Sequence, residues 1–158
     1  QNLSAAGDLT EAAARLFDLL HVGHAHYLEQ ARSLGDLLLI GLNSDASTRA
    51  LKGPLRPLVP ETERAALLLS LRAVDYVTIF EERTAERLVA VLQPDVYVKG
   101  GDYAAQAGST QTQGAAAGKD LPEARIVQSY GGQIELMPYL AGHSTSELIT
   151  RIVERYGR

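Results

Sequence analysis

The sequence predicts an α/β fold, a doubly wound parallel sheet of about five strands with helices on both faces. Short apolar runs such as Leu37-Leu38-Leu39-Ile40-Gly41-Leu42 read as strands buried on both sides. They alternate with stretches of helical period, the pattern of parallel strands joined by crossover helices. The chain has 158 residues, 46% of them hydrophobic, enough for one proper core and too few to favour two domains. In such a sheet ligands sit at the carboxyl ends of the strands, near the point where strand order reverses.

Taken in order, Asp8 to Leu16 predicts a short helix, because its alanines have high helix propensity and Asp8 or Thr10 can cap it. Residues 1–16 therefore read as a helical N-terminal extension of the single domain. From Gly23 to Leu34, Ala25, Leu28, Ala31 and Arg32 recur at helical spacing, and Gly35 is placed to stop the helix. Asp36 to Asn43 is a buried strand, followed after Asn43-Ser44-Asp45 by a short helical turn. The proline-rich, basic stretch Lys52 to Pro60 is a loop. Pro60-Glu61-Thr62-Glu63 opens a helix running to about Arg72, with proline in the first turn and acids where the helix dipole favours them. Val74 to Phe80 is a strand, Thr84 to Leu92 a helix, Asp95 to Lys99 a strand, and Gly100-Gly101-Asp102 a turn. Residues 103–120 are rich in small polar residues without apolar period and read as a flexible insertion. Glu123 to Tyr130 is a short helix or strand, and Gln133 to Tyr139 a strand. Ser144 to Tyr156 is a closing helix with Leu148, Ile149, Ile152 and Val153 on one face.

The charge balance, 15 basic against 19 acidic side chains for a formal net charge of −4, gives no general attraction to nucleic acid or to an anionic membrane. Any anion must be held by a local cluster. There is no cysteine, so neither a disulfide nor a thiolate zinc site holds the fold. No apolar run approaches the roughly 20 residues that span a bilayer, and residues 1–11 lack the basic start and apolar stretch of a signal peptide. A cytoplasmic protein is expected.

The most informative motif is His21-Val22-Gly23-His24 at the start of a helical pattern. Free backbone N–H groups and the positive end of the helix dipole favour an anion there, and two imidazoles three positions apart share one helical face. By itself such a pair is more often a surface or capping feature. A zinc site built from His21, His24 and His26 is not expected, because His26 leaves the shared face. The sequence has no Gly-x-x-x-x-Gly-Lys-Ser/Thr loop, no Gly-x-Gly-x-x-Gly and no Gly-x-Ser-x-Gly, which weakens kinase, dehydrogenase and serine hydrolase readings. At the ends of the predicted strands stand Lys52 and Arg56, Lys99 and Asp102, and Ser144-Thr145-Ser146, all of which a parallel sheet gathers at one edge. Ser144 is at least a helix cap. Arg64 is as well explained by a pair with Glu61 as by a substrate contact.

In combination, Phe17-Asp18-x-x-His21-x-Gly23-His24, Asn43-Ser44-Asp45, Leu51-Lys52-Gly53-x-x-Arg56-Pro57, Glu63-Arg64, Val98-Lys99-Gly100-Gly101-Asp102-Tyr103 and Ser144-Thr145-Ser146 resemble the HxGH nucleotidyltransferases. Within them the chain is most similar to the adenylyltransferase domain of ADP-heptose synthases. The histidine motif indicates only the superfamily; the Leu-Lys-Gly-x-x-Arg-Pro and Val-Lys-Gly-Gly-Asp-Tyr segments favour the heptose enzymes. The resemblance implies a Rossmann-like domain that transfers AMP from ATP to a sugar 1-phosphate, with Mg2+ accompanying ATP and a homodimer as a family trait. It implies His21, His24 and Lys52 as catalytic residues. Phe17, Asp18, Gly23, Lys99, Asp102, Ser144, Thr145 and Ser146 become nucleotide contacts, with Asp18 orienting a hydroxyl or the ribose. Arg56 and Arg64 become contacts to the substrate phosphate. The alternatives are a cytidylyltransferase acting on a polyol phosphate and an inactive nucleotide-binding module. The cytidylyltransferase signature Arg-Thr-x-Gly-Ile-Ser-Thr-Thr is replaced here by Pro138-Tyr139-Leu140-Ala141-Gly142-His143-Ser144-Thr145-Ser146. In these families a buried strand precedes the histidine motif, whereas residues 8–16 read as helical. Either that strand is lost or two segments are joined across missing residues, and the second is preferred.

Overall fold

The structure, a computed structural model, describes residues 9–15 (backbone), 17–100, 121–137, 140 and 142–157. The elements are β1 (Leu9–Arg15), α1 (Val22–Arg32), β2 (Leu37–Asn43), α2 (Asp45–Lys52), α3 (Glu61–Leu69) and β3 (Tyr76–Phe80). They continue with α4 (Glu86–Leu92), β4 (Val96–Gly100), α5 (Ala124–Ser129), β5 (Gln133–Met137) and α6 (Thr145–Tyr156). The strands pair in the order β3-β2-β1-β4-β5, every pair parallel. The chain moves outward from β1 through β2 to β3 and then returns to the other side of β1. Strand order therefore reverses between β1 and β4, which creates a crevice at their carboxyl ends.

The expected helix over residues 8–16 is corrected: Leu9–Arg15 is the central strand. Thr10 stands opposite both Leu38 and Val96, and Ala12 opposite both Ile40 and Val98. Helix propensity differs by only tenths of a kcal/mol per residue among ordinary residues, and backbone pairing to a strand on each side overrides it. The strand expected before the histidine motif is thus neither lost nor left out; alanines disguise it.

Alternation along the strands divides the core in two. On one face Val96 and Val98 of β4 join Leu38, Ile40 and Leu42 of β2 beneath Tyr27, Leu28 and Ala31 of α1 and Leu68 of α3. On the other face Tyr97 packs with Phe80, Ala85, Val89, Leu121 and Val127 under α4 and α5. Tyr27 Oη donates to the Val98 carbonyl at 3.3 Å and pins α1 to the sheet. The closing helix α6 buries none of its side chains; Ile152 and Val153 remain 47% and 59% exposed. No helix among the described residues is long and apolar enough to cross a membrane. The turn at Gly101 and Asp102 and the expected insertion over residues 103–120 lie outside the described residues.

Candidate active site at the carboxyl edge of the sheet

The end of β1 delivers the chain directly to the reversal point of the sheet. Phe17 there takes φ of 42°, a left-handed conformation that is a genuine outlier for a bulky side chain. The turn buries its ring edge-on against His24, with centroids 5.1 Å apart and planes at 61°. His21 is the N-cap of α1, and its carbonyl accepts from the His24 N–H at 2.9 Å, closing the first turn. The turn stacks the two imidazoles, centroids 4.0 Å apart and planes at 24°. His26 is exposed on another side of the helix. Among the described residues no three histidine or acidic side chains cluster in a way that would hold a metal ion.

Gly23 shows why the motif contains a glycine. A Cβ there would sit 3.0 Å from the His143 carbonyl oxygen and 3.0 Å from the His21 ring. This approach also places the segment before α6 against the start of α1. Ser144 caps α6, its Oγ accepting from the Glu147 N–H at 3.1 Å, and Thr145 and Ser146 form the first turn beyond it. The starts of two helices, each with a positive dipole end, therefore lie side by side at the histidine pair.

The expected anion-binding cations are arranged differently from one another. Lys52, the last residue of α2, is exposed, and Gly53 at φ 96° turns the chain away beyond it. Arg56 Nε lies 2.6 Å from Asp18 Oδ2. The other oxygen of Asp18 accepts the N–H groups of Leu58 at 2.6 Å and Val59 at 3.0 Å. Asp18, expected to orient a hydroxyl or the ribose, also holds the loop of residues 53–60 beside the histidine motif. Arg64, expected at the substrate phosphate, is completely buried; its Nε donates to the Val59 carbonyl at 2.9 Å and its Nη2 to Asp45 Oδ1 at 2.6 Å. Buried against α2, Arg64 ties that helix to α3, and its carboxylate partner is Asp45 rather than Glu61. Glu61 Oε2 accepts the Asp45 N–H at 2.6 Å.

Lys99 leaves β4 on the face of Tyr97, opposite α1, with Nζ 3.6 Å from Glu123 Oε1 and 5.9 Å from the Tyr97 ring centre. Asp102 lies outside the described residues. Elsewhere on the edge, Asn43 Nδ2 donates to Ser47 Oγ at 2.9 Å, and that hydroxyl donates to the Glu82 carbonyl at 2.7 Å, joining the ends of β2 and β3. A backbone hydrogen bond at Glu82 itself, with a smaller contribution from Arg87, holds the Glu82 carboxyl below its ordinary range. A separate groove of about 490 Å3 runs along the flank of α1 past Leu28, Arg32 and Arg72 and does not include the histidines.

Sequence reasoning missed Asp45 as the partner of Arg64, the loop-fastening role of Asp18, and Glu123 altogether. Asp45 and Arg64 both stood in recognised motifs, but nothing in their spacing links them. Glu123 carried no signal.

The cytidylyltransferase-like family model matches residues 16–151. The chain is 53% identical over 140 residues to the bifunctional protein HldE of Syntrophotalea carbinolica, covering 89% of this chain and 26% of that protein. It is 48% identical over 143 residues to the bifunctional protein HldE of Streptomyces coelicolor, covering 90% and 28%. The chain thus spans about a quarter of the length of these relatives. Among solved structures it is similar to the lipopolysaccharide core biosynthesis protein of Thermoplasma volcanium, with a TM-score of 0.62 at 25% identity over 85% of this chain and 97% of that one. Matched along most of its length, with its histidine pair at the reversal point of a parallel sheet, the chain belongs to the cytidylyltransferase-like family.

Proposed function

We propose that this domain transfers AMP from ATP to a sugar 1-phosphate, a heptose 1-phosphate by the motifs it shares with ADP-heptose synthases. An oxygen of the sugar phosphate attacks the α-phosphorus, the bond from that phosphorus to the α,β-bridging oxygen breaks, and pyrophosphate leaves. The observation that carries this reading is the stacked His21 and His24 pair at the sheet's reversal point, where the starts of α1 and α6 meet. No covalent intermediate is needed; such a transfer requires aligned reactants and fixed donors around the developing phosphate charge. His21 and His24 face the α- and β-phosphates, and Lys52 and Arg56 face the acceptor phosphate or the leaving group. Lys99 takes a further phosphate, and the first turn of α6 at Ser144, Thr145 and Ser146 takes the outer phosphates of ATP. Mg2+ arrives with ATP as part of the substrate. The described residues offer it no carboxylate cluster, and Asp18 is already paired with Arg56. The need for ATP fits a cytoplasmic location, and the similarity to the bifunctional HldE proteins fits the sugar-phosphate acceptor.

The test is pyrophosphate release with ATP or CTP against a panel of sugar 1-phosphates and polyol phosphates. Turnover with ATP and a heptose 1-phosphate is expected; turnover with CTP alone overturns the adenylyl assignment. His24→Ala is expected to lower turnover at least about tenfold with an unchanged melting temperature, as loss of a transition-state donor does. Near-normal turnover refutes the role of the pair.

A further inference from the structure

Glu123 is 1% exposed and immediately precedes α5, yet it faces no solvent and belongs to none of the recognised motifs. Its Oε1 accepts the N–H of Ala85, the fully buried N-cap of α4, at 3.1 Å, and lies 3.6 Å from Lys99 Nζ. A helix that follows or precedes a parallel strand by a crossover has one end at the carboxyl edge of the sheet, and for α4 and α5 that end is the first turn. One carboxylate therefore joins the start of α4, the start of α5 and the end of β4, all at the edge where the histidine pair stands. Its second oxygen, Oε2, is buried and accepts no hydrogen bond among the described residues. A carboxylate removed from water this thoroughly needs a cation or a full set of donors, and the cation it faces is Lys99, whose side chain is only 17% exposed.

Lysine is a flexible point charge that loses much rotamer freedom on being fixed. On the Tyr97 face of β4, the Lys99 ammonium is drawn toward the Glu123 carboxylate. We propose that Glu123 is a positioning residue for nucleotide binding. Its carboxylate holds the Lys99 ammonium at the carboxyl end of β4, so that the triphosphate is met from one side of the sheet by His21 and His24 and from the other by Lys99. This rests on the reading of the domain as an ATP-dependent adenylyltransferase with Lys99 as a ground-state phosphate contact. The bond to Ala85 and the charge facing Lys99 are separable: Glu123→Gln keeps an oxygen for the Ala85 N–H and removes only the charge.

The experiment compares the wild-type chain with Glu123→Gln, Lys99→Met, the double variant and Glu123→Asp, measuring kcat and KM for ATP by pyrophosphate release and melting temperature by circular dichroism. Loss of a contact made equally in the ground and transition states raises KM and spares kcat. Glu123→Gln and Lys99→Met are each expected to raise KM for ATP about fivefold to tenfold with kcat within about twofold. The double variant is expected to be no worse than either single one, because coupled residues are not additive. Glu123→Asp, which restores the charge, should recover part of the loss. An unchanged or lowered KM in Glu123→Gln overturns the proposal, as do single effects that multiply in the double variant. A wild-type chain that releases no pyrophosphate with any acceptor instead overturns the functional reading beneath it. Normal wild-type turnover with an indifferent Glu123→Gln leaves that reading standing and removes only this one.

Discussion

Asp18→Ala removes a side chain that fastens the loop of residues 53–60 beside the histidine motif. The carboxylate is 1% exposed as a side chain, receives two backbone N–H groups at 2.6 and 3.0 Å, and pairs with Arg56 at 2.6 Å. A hydrogen bond to a charged group contributes about 1.5–3 kcal/mol, and breaking a buried ion pair by deleting one partner costs about 3–5 kcal/mol. These terms share a single carboxylate and do not add, so about 3–5 kcal/mol is the expected total. For a domain of this size each kcal/mol lowers the melting temperature by about 2–4 °C, which gives a drop of about 6–20 °C. Asp18→Asn retains an acceptor for Leu58 and Val59 but no charge for Arg56, and should lose about half as much. Thermal and urea unfolding followed by circular dichroism measure both. An Asp18→Ala melting temperature within about 2 °C of wild type refutes the fastening role, as does an Asn variant that is worse than the Ala variant.

Substitutions at two further positions test the same edge. Gly23→Ala places a methyl group 3.0 Å from the His143 carbonyl and from the His21 ring. Overpacking of about 1–3 kcal/mol should appear as a modest fall in melting temperature, with turnover reduced more than stability because the imidazole stack must move; full turnover refutes this. Arg64→Met leaves Asp45 and the Val59 carbonyl without their buried donor and should cost about 3–5 kcal/mol in urea unfolding. Arg64→Lys recovers only part of it, because an ammonium cannot reproduce the guanidinium fork; a stability equal to wild type in Arg64→Met refutes the positioning role.

Much of this arrangement was legible from residue types. The apolar run of β2, the acids and proline opening α3, and Ser144 as a cap each act through local physics, and each stands where that physics puts it. The central strand was not legible, because Leu9–Arg15 has the composition of a helix and becomes a strand only through pairing with β2 and β4. Period and propensity cannot register partners supplied by residues some 30 to 90 positions away. The partners of Arg56, Arg64 and Lys99 were hidden for the same reason: Asp18, Asp45 and Glu123 lie 38, 19 and 24 positions distant and meet these cations only after folding. The left-handed turn at Phe17 left no trace in the sequence, since the residue there is one that normally avoids it.

The pairings also bear on how a chain of net charge −4 could build the proposed triphosphate site. Arg56, Arg64 and Lys99 each face a carboxylate with little exposure, so their charges are compensated at close range and contribute little long-range attraction. Part of their effect is geometric. Asp18 and Arg56 set the loop, Asp45 and Arg64 set α2 against α3, and Glu123 with Lys99 sets α4 and α5 against β4. Attraction at a distance is left to the starts of α1 and α6, to the stacked imidazoles, and to Lys52, which no carboxylate pairs among the described residues, while Arg56 and Lys99 would act on the anion only at contact. Fixed dipoles at such an edge would suit the proposed transfer better than a broad basic surface. They are already oriented when charge develops in the transition state, and they do not bind every passing polyanion.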